Sequence, residues 1–251
     1  MITLKSAREL ALMRQAGRIV AQVLAEIRTA AEPGMTTADL EAIADRIIVQ
    51  EHGAIPSFKG YRGFPGMVCA SLNEEIVHGI PGQRLLRQGD IVSVDVGVIY
   101  EGYHGDAAIT VGVGQIDAES QRLLEVTAES LRIGIEAARP GNWTWDVSKA
   151  IQNYVESQGY SVVREYTGHG IGRQMHEDPQ IPNYFEPRIG ARVRLRPGMT
   201  FALEPMVNVG GWRTRVLDDR WTVVTADGKR SAHFEHTVAV TKNGPEIMTR
   251  L

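Results

Sequence analysis

The sequence predicts an α+β fold of two duplicated halves, each with two helices followed by an antiparallel hairpin. A segment that ends one helix and begins the next occurs twice, at Ala30–Leu40 and Ala137–Val147. In each half a carboxylate also follows a glycine by six residues: Gly89 with Asp95, and Gly198 with Glu204. One such piece could arise by chance, but matching pieces in the same order make chance a poor explanation.

The last strands of the two halves also match, Asp106–Val111 with Glu235–Val240. The interval from Glu204 to Glu235 is 20 residues longer than that from Asp95 to Asp106, which predicts an extra hairpin within residues 206–226. We expect half-repeats of about residues 1–113 and 114–251 to form a single domain, 1–251, around a pseudo-twofold axis. Each half would then contribute two carboxylates to the centre.

The helices of the first half are indicated by their end signals. Ser6 and Glu9 form a capping box, and apolar residues follow at helical spacing until Pro33-Gly34 ends the helix. Thr37 is expected to cap a second helix, which ends near Gly53.

Short strands are expected at residues 67–71 and 75–79, followed by a hairpin that carries Asp95 and Asp106. In the first hairpin strand, Asp95 lies among small residues on the face opposite four alternating valines. A hairpin would place the two carboxylates side by side. A lone aspartate more often ends a strand or caps a turn, but two mid-strand aspartates weaken that explanation, because strand interiors disfavour them.

Composition restricts the class of protein. With 251 residues, 43% of them hydrophobic, the chain can bury a sizeable core. The net charge of −3 gives no electrostatic signal for nucleic acid or an anionic membrane, and no apolar run is long enough to span a bilayer. Cys69 is the only cysteine, which excludes an intrachain disulfide and a thiolate zinc site and fits a cytoplasmic location.

Four carboxylates facing one cleft would cost several kcal/mol each if they were buried unpaired. Two divalent cations would cancel this charge, and a pair about 3.5–4 Å apart would lower the pKa of a bridging water. Oxygen donors with one imidazole suit cobalt, manganese, iron or zinc, and the sequence does not choose among them. His169 supplies that imidazole, although a lone histidine in a glycine-rich segment is often only a turn residue.

Along almost its whole length the chain resembles type I methionine aminopeptidases, which are metallopeptidases of the pita-bread fold. The matching segments are Asn73-Glu74, Val77–Pro81, Asp95–Gly97, Gly105-Asp106, Gly168–Gly172, Leu203–Pro205, Trp221–Thr225 and Phe234–Thr237. The resemblance implies a curved antiparallel sheet with helices on one side. It implies that Asp106 and Glu235 bridge two metal ions and that Asp95 chelates one of them. His169 and Glu204 would complete the other ion.

The resemblance also assigns catalytic and substrate-binding residues. His176 would support the oxyanion of the scissile carbonyl, His78 would contact the peptide nitrogen, and Glu204 would handle the proton of an attacking metal-bound hydroxide. The walls of a methionine pocket would be Phe58, Tyr61, Phe64, Cys69, Met175 and Trp221, with His78 near the edge.

Some of these positions depart from the pattern that the resemblance leads us to expect. Phe64 and Met175 stand where tyrosine and phenylalanine are expected, and Phe58 stands where a smaller residue is common. These departures leave the fine selectivity open. His233 stands where glutamine is expected and is interpreted as structural or as a neighbour of the ligand set.

The expected function is removal of the initiator methionine from nascent polypeptides when the second residue is small. We expect a monomer that acts on nascent N-termini, and the sequence carries no signal for contact with the ribosome. Two alternatives stay open: an Xaa-Pro-directed aminopeptidase or dipeptidase on the same fold, and a non-enzymatic pita-bread binding protein. The first usually has a separate N-terminal domain, and the second would be expected to have lost metal ligands.

Overall fold

The computed structural model describes residues 2–188 and 192–251, and its helices and strands alternate in blocks. The first block contains α1 (Ala7–Ala30), α2 (Thr37–Asp45), β1 (Ile55–Pro56), β2 (Val68–Leu72), β3 (Glu75–Val77), β4 (Ile91–Tyr100) and β5 (Tyr103–Gly112). The second contains α3 (Ala118–Ala137), α4 (Thr144–Ser157), β6 (Ser161–Val162), β7 (Gly168–Gly170), β8 (Glu177–Ile181), β9 (Thr200–Leu203), β10 (Met206–Asn208), β11 (Thr214–Val216), β12 (Val223–Thr225), β13 (Ser231–His233), β14 (His236–Thr241) and β15 (Gly244–Ile247). The predicted α+β class is confirmed.

The helix start signals hold, with one correction. The capping box of Ser6 and Glu9 is present at α1. At α2 the cap is Thr36, so the prediction of Thr37 is wrong by one residue. The Thr36 hydroxyl accepts the Asp39 N–H at 3.1 Å, and the Asp39 carboxylate accepts the Thr36 N–H at 2.7 Å. Because both bonds are made by Thr36, Thr37 lies inside the first helical turn.

The predicted hairpin of the two aspartates is β4 and β5, joined by the two-residue turn Glu101-Gly102. In its register Asp95 lies opposite Ala108, and Asp106 lies opposite Gly97. The carboxylates therefore share one face but are diagonal neighbours rather than directly opposite residues. The turn is this short because residues 103–105 already belong to β5.

Antiparallel pairing organises the strands. β4 pairs with β1, β2 and β5, while the second block forms the sheet β15-β14-β9-β7-β8. The predicted extra hairpin is confirmed and consists of β11 and β12. Since β12 also pairs with β3, this hairpin joins the two blocks.

The two blocks also meet along β5. Ala108 and Glu235 exchange backbone hydrogen bonds of 2.9 and 3.3 Å. The Asp106 N–H donates to the Thr237 hydroxyl at 2.9 Å, and this hydroxyl donates to the Asp106 carbonyl at 2.8 Å. This contact brings the carboxylates of the hairpin and of the last strands to the same place.

Two apolar cores support this centre from either side. The buried face of α1 packs on β4 and β5, against valines that include Val94 and Val96. A second core lies between α3, α4 and the strands β9 and β14. In the described part of the chain, the helices are all too short or too polar to cross a membrane.

Candidate metal centre

A cavity of about 380 Å³ lies between the two blocks. Its wall contains all thirteen residues that the sequence predicts for the site: Phe58, Tyr61, Phe64, Cys69, His78, Asp95, Asp106, His169, Met175, His176, Glu204, Trp221 and Glu235. A larger groove, of about 460 Å³, lies between α3 and β15. Within the described residues, the groups of three or more closely spaced metal-ligating side chains belong to the first cavity and its surroundings.

The carboxylates reach the cavity from strands of both blocks. Asp95 is in β4, and its partner on the adjacent strand β2 is Cys69. Asp106 is in β5, and Glu235 is held beside that strand by its backbone bonds to Ala108. Glu204 directly follows β9. Each side chain is thus fixed by regular backbone pairing, which restricts its position more tightly than a free loop would.

His169 occupies the middle of β7, between two glycines that permit close strand packing. A Cβ at Gly168 would lie 2.5 Å from the Ala202 carbonyl oxygen, and one at Gly170 would clash with the Asp178 carbonyl. The Nδ1–H of His169 donates to the Gly170 carbonyl at 2.9 Å, which leaves Nε2 free as an electron-pair donor. That Nε2 atom lies 3.6 Å from Glu204 Oε1 and 3.9 Å from Asp106 Oδ2.

The four carboxyl groups are crowded together and desolvated, so without a cation they ionise less readily than in water. Asp106 and Glu235 are each 2% exposed, and Asp95 and Glu204 are half-buried. Burial raises the pKa of Asp95 to about 7. Burial, with repulsion from the neighbouring carboxylates, raises the pKa of Asp106, Glu204 and Glu235 well above the ordinary range.

Several buried atoms of this cluster lack a hydrogen-bond partner among the described residues. They are Asp95 Oδ1, Asp106 Oδ1, Glu235 Oε1 and His233 Nε2. Burying such atoms without a partner is costly, so a partner of positive charge is expected there. Two sets of three side chains also have ligand atoms within 4.8 Å of one another: Asp95 with His233 and Glu235, and Asp106 with His169 and Glu235. The residues present therefore fit divalent metal ions.

The histidines at the centre are in the form that binds metals. Burial, with the nearby His176, lowers the pKa of His169 to about 3. Burial likewise lowers the pKa of His233 to about 3, with a smaller contribution from His78. Both imidazoles are therefore neutral at physiological pH and can donate an electron pair to a cation.

An apolar recess adjoins the metal centre. Phe64 and Trp221 meet edge to face with their ring centroids 5.1 Å apart, and Met175 is buried in the same cluster. Phe58 approaches closely because residue 97 is a glycine; a Cβ there would lie 2.8 Å from the Phe58 ring. Aromatic rings and sulfur form a surface that suits an unbranched thioether side chain.

His176 and His78 contact different residues of the cavity wall. The His176 ring is 4.1 Å from that of His169, and its Nδ1 shares a hydrogen bond of 2.9 Å with the Tyr61 hydroxyl. His78 has a left-handed backbone, with φ of 61°, and its ring contacts Tyr166 at 5.6 Å between centroids. Such a backbone is strained for a residue with a side chain and is common at functional sites.

Sequence reasoning missed some of the cavity wall. The missed residues are Arg62, Glu165, Tyr166, Thr167 and Gln180. Tyr166 and Thr167 directly precede the glycine-rich segment of His169, so their proximity along the chain was an available signal. Gln180 lies opposite His169 in the β7–β8 pairing, which only the register reveals.

Comparison with known proteins agrees with this geometry. The chain is 55% identical to methionine aminopeptidase 1 of Bacillus subtilis, over 251 residues and the full length of both chains. It is 52% identical to a methionine aminopeptidase of Clostridium perfringens over 249 residues, with 99% of each chain covered. A crystal structure of methionine aminopeptidase from Thermotoga maritima matches the whole of both chains with a TM-score of 0.96 and 49% identity.

Prolidase-type structures match less well. The prolidase of Pyrococcus horikoshii has a TM-score of 0.78 and 22% identity, and the match covers 98% of this chain but 63% of that one. This likeness shows a common fold only. Residues 11–242 match the model of metallopeptidase family M24. Together with the full-length relatives, this match shows that the chain belongs to metallopeptidase family M24.

Proposed function

We propose that this chain is a methionine aminopeptidase that removes the initiator methionine from new polypeptides when the second residue is small. The observation that carries the proposal is a recess of aromatic rings and sulfur directly beside a cluster of metal-type ligands. Full-length relatives at 52% and 55% identity bear the name methionine aminopeptidase. The small volume of the cavity, about 380 Å³, suits one side chain and one peptide bond better than a long substrate segment.

We propose that the centre holds two divalent ions, drawn from cobalt, manganese, iron or zinc. Glu235 belongs to both sets of donors, which suits a bridging position, and Asp106 would be the second bridging ligand. Asp95 would bind one ion, and His169 with Glu204 would bind the other. Bound ions would supply a water nucleophile at neutral pH and an anchor for the free amine of the substrate.

The remaining chemistry belongs to side chains around this centre. Burial and the neighbouring carboxylates raise the pKa of Glu204 in the metal-free site, and we propose this residue as the group that takes and returns the proton of the nucleophile. The Tyr61 hydroxyl is hydrogen-bonded to His176 Nδ1, and with the hydroxyl as the proposed donor the His176 proton would be on Nε2. That N–H could donate to the carbonyl oxygen as negative charge develops on it. His78 would contact the peptide nitrogen.

The recess sets the substrate preference in this proposal. Its walls would be Phe58, Tyr61, Phe64, Cys69, Met175 and Trp221. A β-branched or charged side chain would pack poorly against these rigid rings or leave a buried charge. The requirement for a small second residue is part of the proposed activity, and the peptide panel below tests it.

The proposed setting is the cytoplasm, where new polypeptides carry their initiator methionine. The single cysteine, Cys69, is buried and free, which suits a reducing compartment. We propose a monomer that acts on nascent N-termini, with any contact to the ribosome to be found by co-sedimentation.

The test is a panel of peptides assayed with cobalt, manganese, iron and zinc. We expect release of methionine from Met-Ala-Ser, much slower cleavage of Met-Leu-Ser and Leu-Ala-Ser, and no activity after the metal is removed by a chelator. An intact Met-Ala-Ser with every metal would overturn the proposal. Release from Xaa-Pro peptides in preference to Met-Ala-Ser would instead support the proline-directed alternative. If the protein binds none of the metals and cleaves none of the peptides, the result would support the alternative of a non-enzymatic binding protein.

A further inference from the structure

A second histidine lies at the carboxylate cluster, on the Asp95 side. His233 ends β13 and is 2% exposed. Its Nε2 atom is 3.6 Å from Glu235 Oε2 and has no hydrogen-bond partner among the residues that the structure describes. A ring nitrogen of His233 and oxygens of Asp95 and Glu235 all lie within 4.8 Å of one another.

These spacings are those of donors to a common ion. A distance of 3.6 Å is too long for a hydrogen bond between the imidazole and the Glu235 carboxylate. Donors bound at about 2.0–2.2 Å to one ion lie roughly 3–4.4 Å apart, depending on the angle between them. His169 Nε2 stands at the same distance, 3.6 Å, from Glu204 Oε1.

Hydrogen bonds hold the backbone of His233 in place, and this fixes the position of its ring beside the carboxylates. Its N–H donates to the Thr110 hydroxyl at 2.9 Å, and that hydroxyl donates to its carbonyl oxygen at 2.8 Å. Met206 lies opposite it in the β10–β13 pairing. An imidazole held this firmly, with an unpaired nitrogen in a buried and negatively charged place, would be costly if it had no cation to bind.

We propose that His233 is a sixth protein ligand of the metal centre and binds, through Nε2, the ion on the Asp95 side. This inference rests on the proposed dinuclear centre and changes its symmetry. Each ion would have one imidazole, His169 on one side and His233 on the other, in place of a single imidazole that makes the sites unequal. An added nitrogen donor favours cobalt, nickel and zinc over manganese and magnesium on that side.

The test counts imidazole ligands in the cobalt-loaded protein by proton NMR. Each histidine bound to paramagnetic cobalt gives one strongly shifted ring N–H signal that disappears in deuterated water. We expect two such signals in the native protein. His233→Gln should leave one, and His169→Gln should leave the other. Binding of the second cobalt ion, measured by calorimetry, should weaken at least about a hundredfold in His233→Gln.

The matched control is His236→Gln, three residues further along the chain at the start of β14. The His236 ring faces the other side, where its Nδ1 bonds the Thr249 hydroxyl at 2.8 Å, and it lines the groove beside α3. This variant should keep two shifted signals and native cobalt affinity. Circular dichroism verifies that each variant folds, and if His233→Gln does not fold, the counts in the native protein and in His169→Gln decide.

The outcomes separate this inference from the proposed function. One shifted signal in the native protein, or two in folded His233→Gln, would overturn the ligand assignment while leaving the dinuclear centre intact. In that case His233 acts at most as a neighbour of Glu235. A native protein that binds no cobalt would overturn both the proposed centre and this inference.

Discussion

The Tyr61 side chain controls the orientation of His176, although the two residues are far apart in the sequence. The phenol and Nδ1 are hydrogen-bonded at 2.9 Å, and the rings stack with centroids 5.5 Å apart. A neutral imidazole that accepts at Nδ1 must carry its proton on Nε2. With the phenol as the proposed donor, Tyr61 is expected to keep His176 in the tautomer that can donate to a substrate carbonyl.

Replacing Tyr61 with phenylalanine tests this role, because the ring of the recess is retained and only the hydroxyl is lost. We expect kcat to fall about tenfold, equivalent to about 1.4 kcal/mol, with KM and metal content little changed. Steady-state kinetics on Met-Ala-Ser and metal analysis measure this. Tyr100→Phe, at the end of β4, is the matched control and should behave as the native protein does. An unchanged kcat in Tyr61→Phe would refute the orienting role.

At this scale, the sequence predicts single residues where spacing or glycine context marks them. Asp95 and Asp106 stand out because a strand interior disfavours aspartate. His233 stood out only as a departure from an expected glutamine, and the Tyr61–His176 contact gave no signal, since each depends on chain segments that meet only in three dimensions. A histidine beside two ligands is recognisable only when the distance from its Nε2 to Glu235 is known.

Among the elements, the N-terminal segment before α1 fixes the loop that carries Met175 and His176. Lys5 Nζ donates to Glu177 Oε2 at 2.6 Å, and these side chains are 4% and 16% exposed. The Lys5 N–H also donates to the Gly198 carbonyl at 2.7 Å. The segment thus connects β8 to the turn before β9.

Lys5→Met should be strongly destabilising, because it leaves the Glu177 carboxylate buried without its partner. We expect the free energy of unfolding to fall by about 3–5 kcal/mol, measured by urea denaturation, and kcat to fall as the His176 loop loosens. Adding Glu177→Gln should recover part of the stability. Arg132→Met breaks exposed pairs with Glu129 and Glu136 and should change the free energy of unfolding little. Equal losses in the two single variants would show that the buried pair has no special role.

The two halves also use the same connection between their helices and hairpins. The Gly34 N–H donates to the Leu86 carbonyl and the Gly141 N–H to the Leu195 carbonyl, each at 2.9 Å. Isolated bridges join Thr36 to Leu85 and Trp143 to Arg194. In each case the contact in the first half and the contact in the second half join residues that the duplicated segments align. The contacts therefore support the proposed duplication. The sequence predicts such ends well because capping and turn residues act locally, whereas the hairpin register depends on packing.

For the whole molecule, we propose that the duplication places a pseudo-twofold axis at the centre. Aligning Asp106 with Glu235 also aligns residue 108 with residue 237. Ala108 pairs with Glu235, and Asp106 contacts Thr237. Replacing each residue by its equivalent in the other half turns the first contact into the second. A twofold axis requires this reciprocity. It explains how carboxylates far apart in the sequence are brought together.

The same convergence should make the metal-free protein depend on pH. The raised pKa values, about 7 for Asp95 and well above the ordinary range for the other three carboxylates, mean that the folded state binds more protons than the unfolded state. Their contribution to stability is therefore lost as pH rises. The histidines have lowered pKa values and act in the opposite direction, but only below their ordinary pKa of 6.5.

We therefore expect the metal-free protein to lose stability as pH rises from about 6.5 through the ionisation of Asp95 near 7, by up to roughly 1.4 kcal/mol per pH unit for each extra proton bound. Adding manganese or cobalt should reverse the loss, because the ions bind the ionised carboxylates, so the rise in Tm on adding metal should increase with pH. Thermal melts with chelator or metal measure both effects.

Asp106→Asn provides the internal check, because it removes one of the coupled carboxylates without changing the shape of the site. This variant should show a smaller loss of stability with pH when metal-free, a lower metal content and little remaining activity. The surface variant Asp218→Asn should match the native protein in all three. If the native protein keeps the same metal-free stability across this range, the carboxylates are not desolvated together. If Asp106→Asn keeps full metal occupancy and activity, Asp106 is not a bridging ligand.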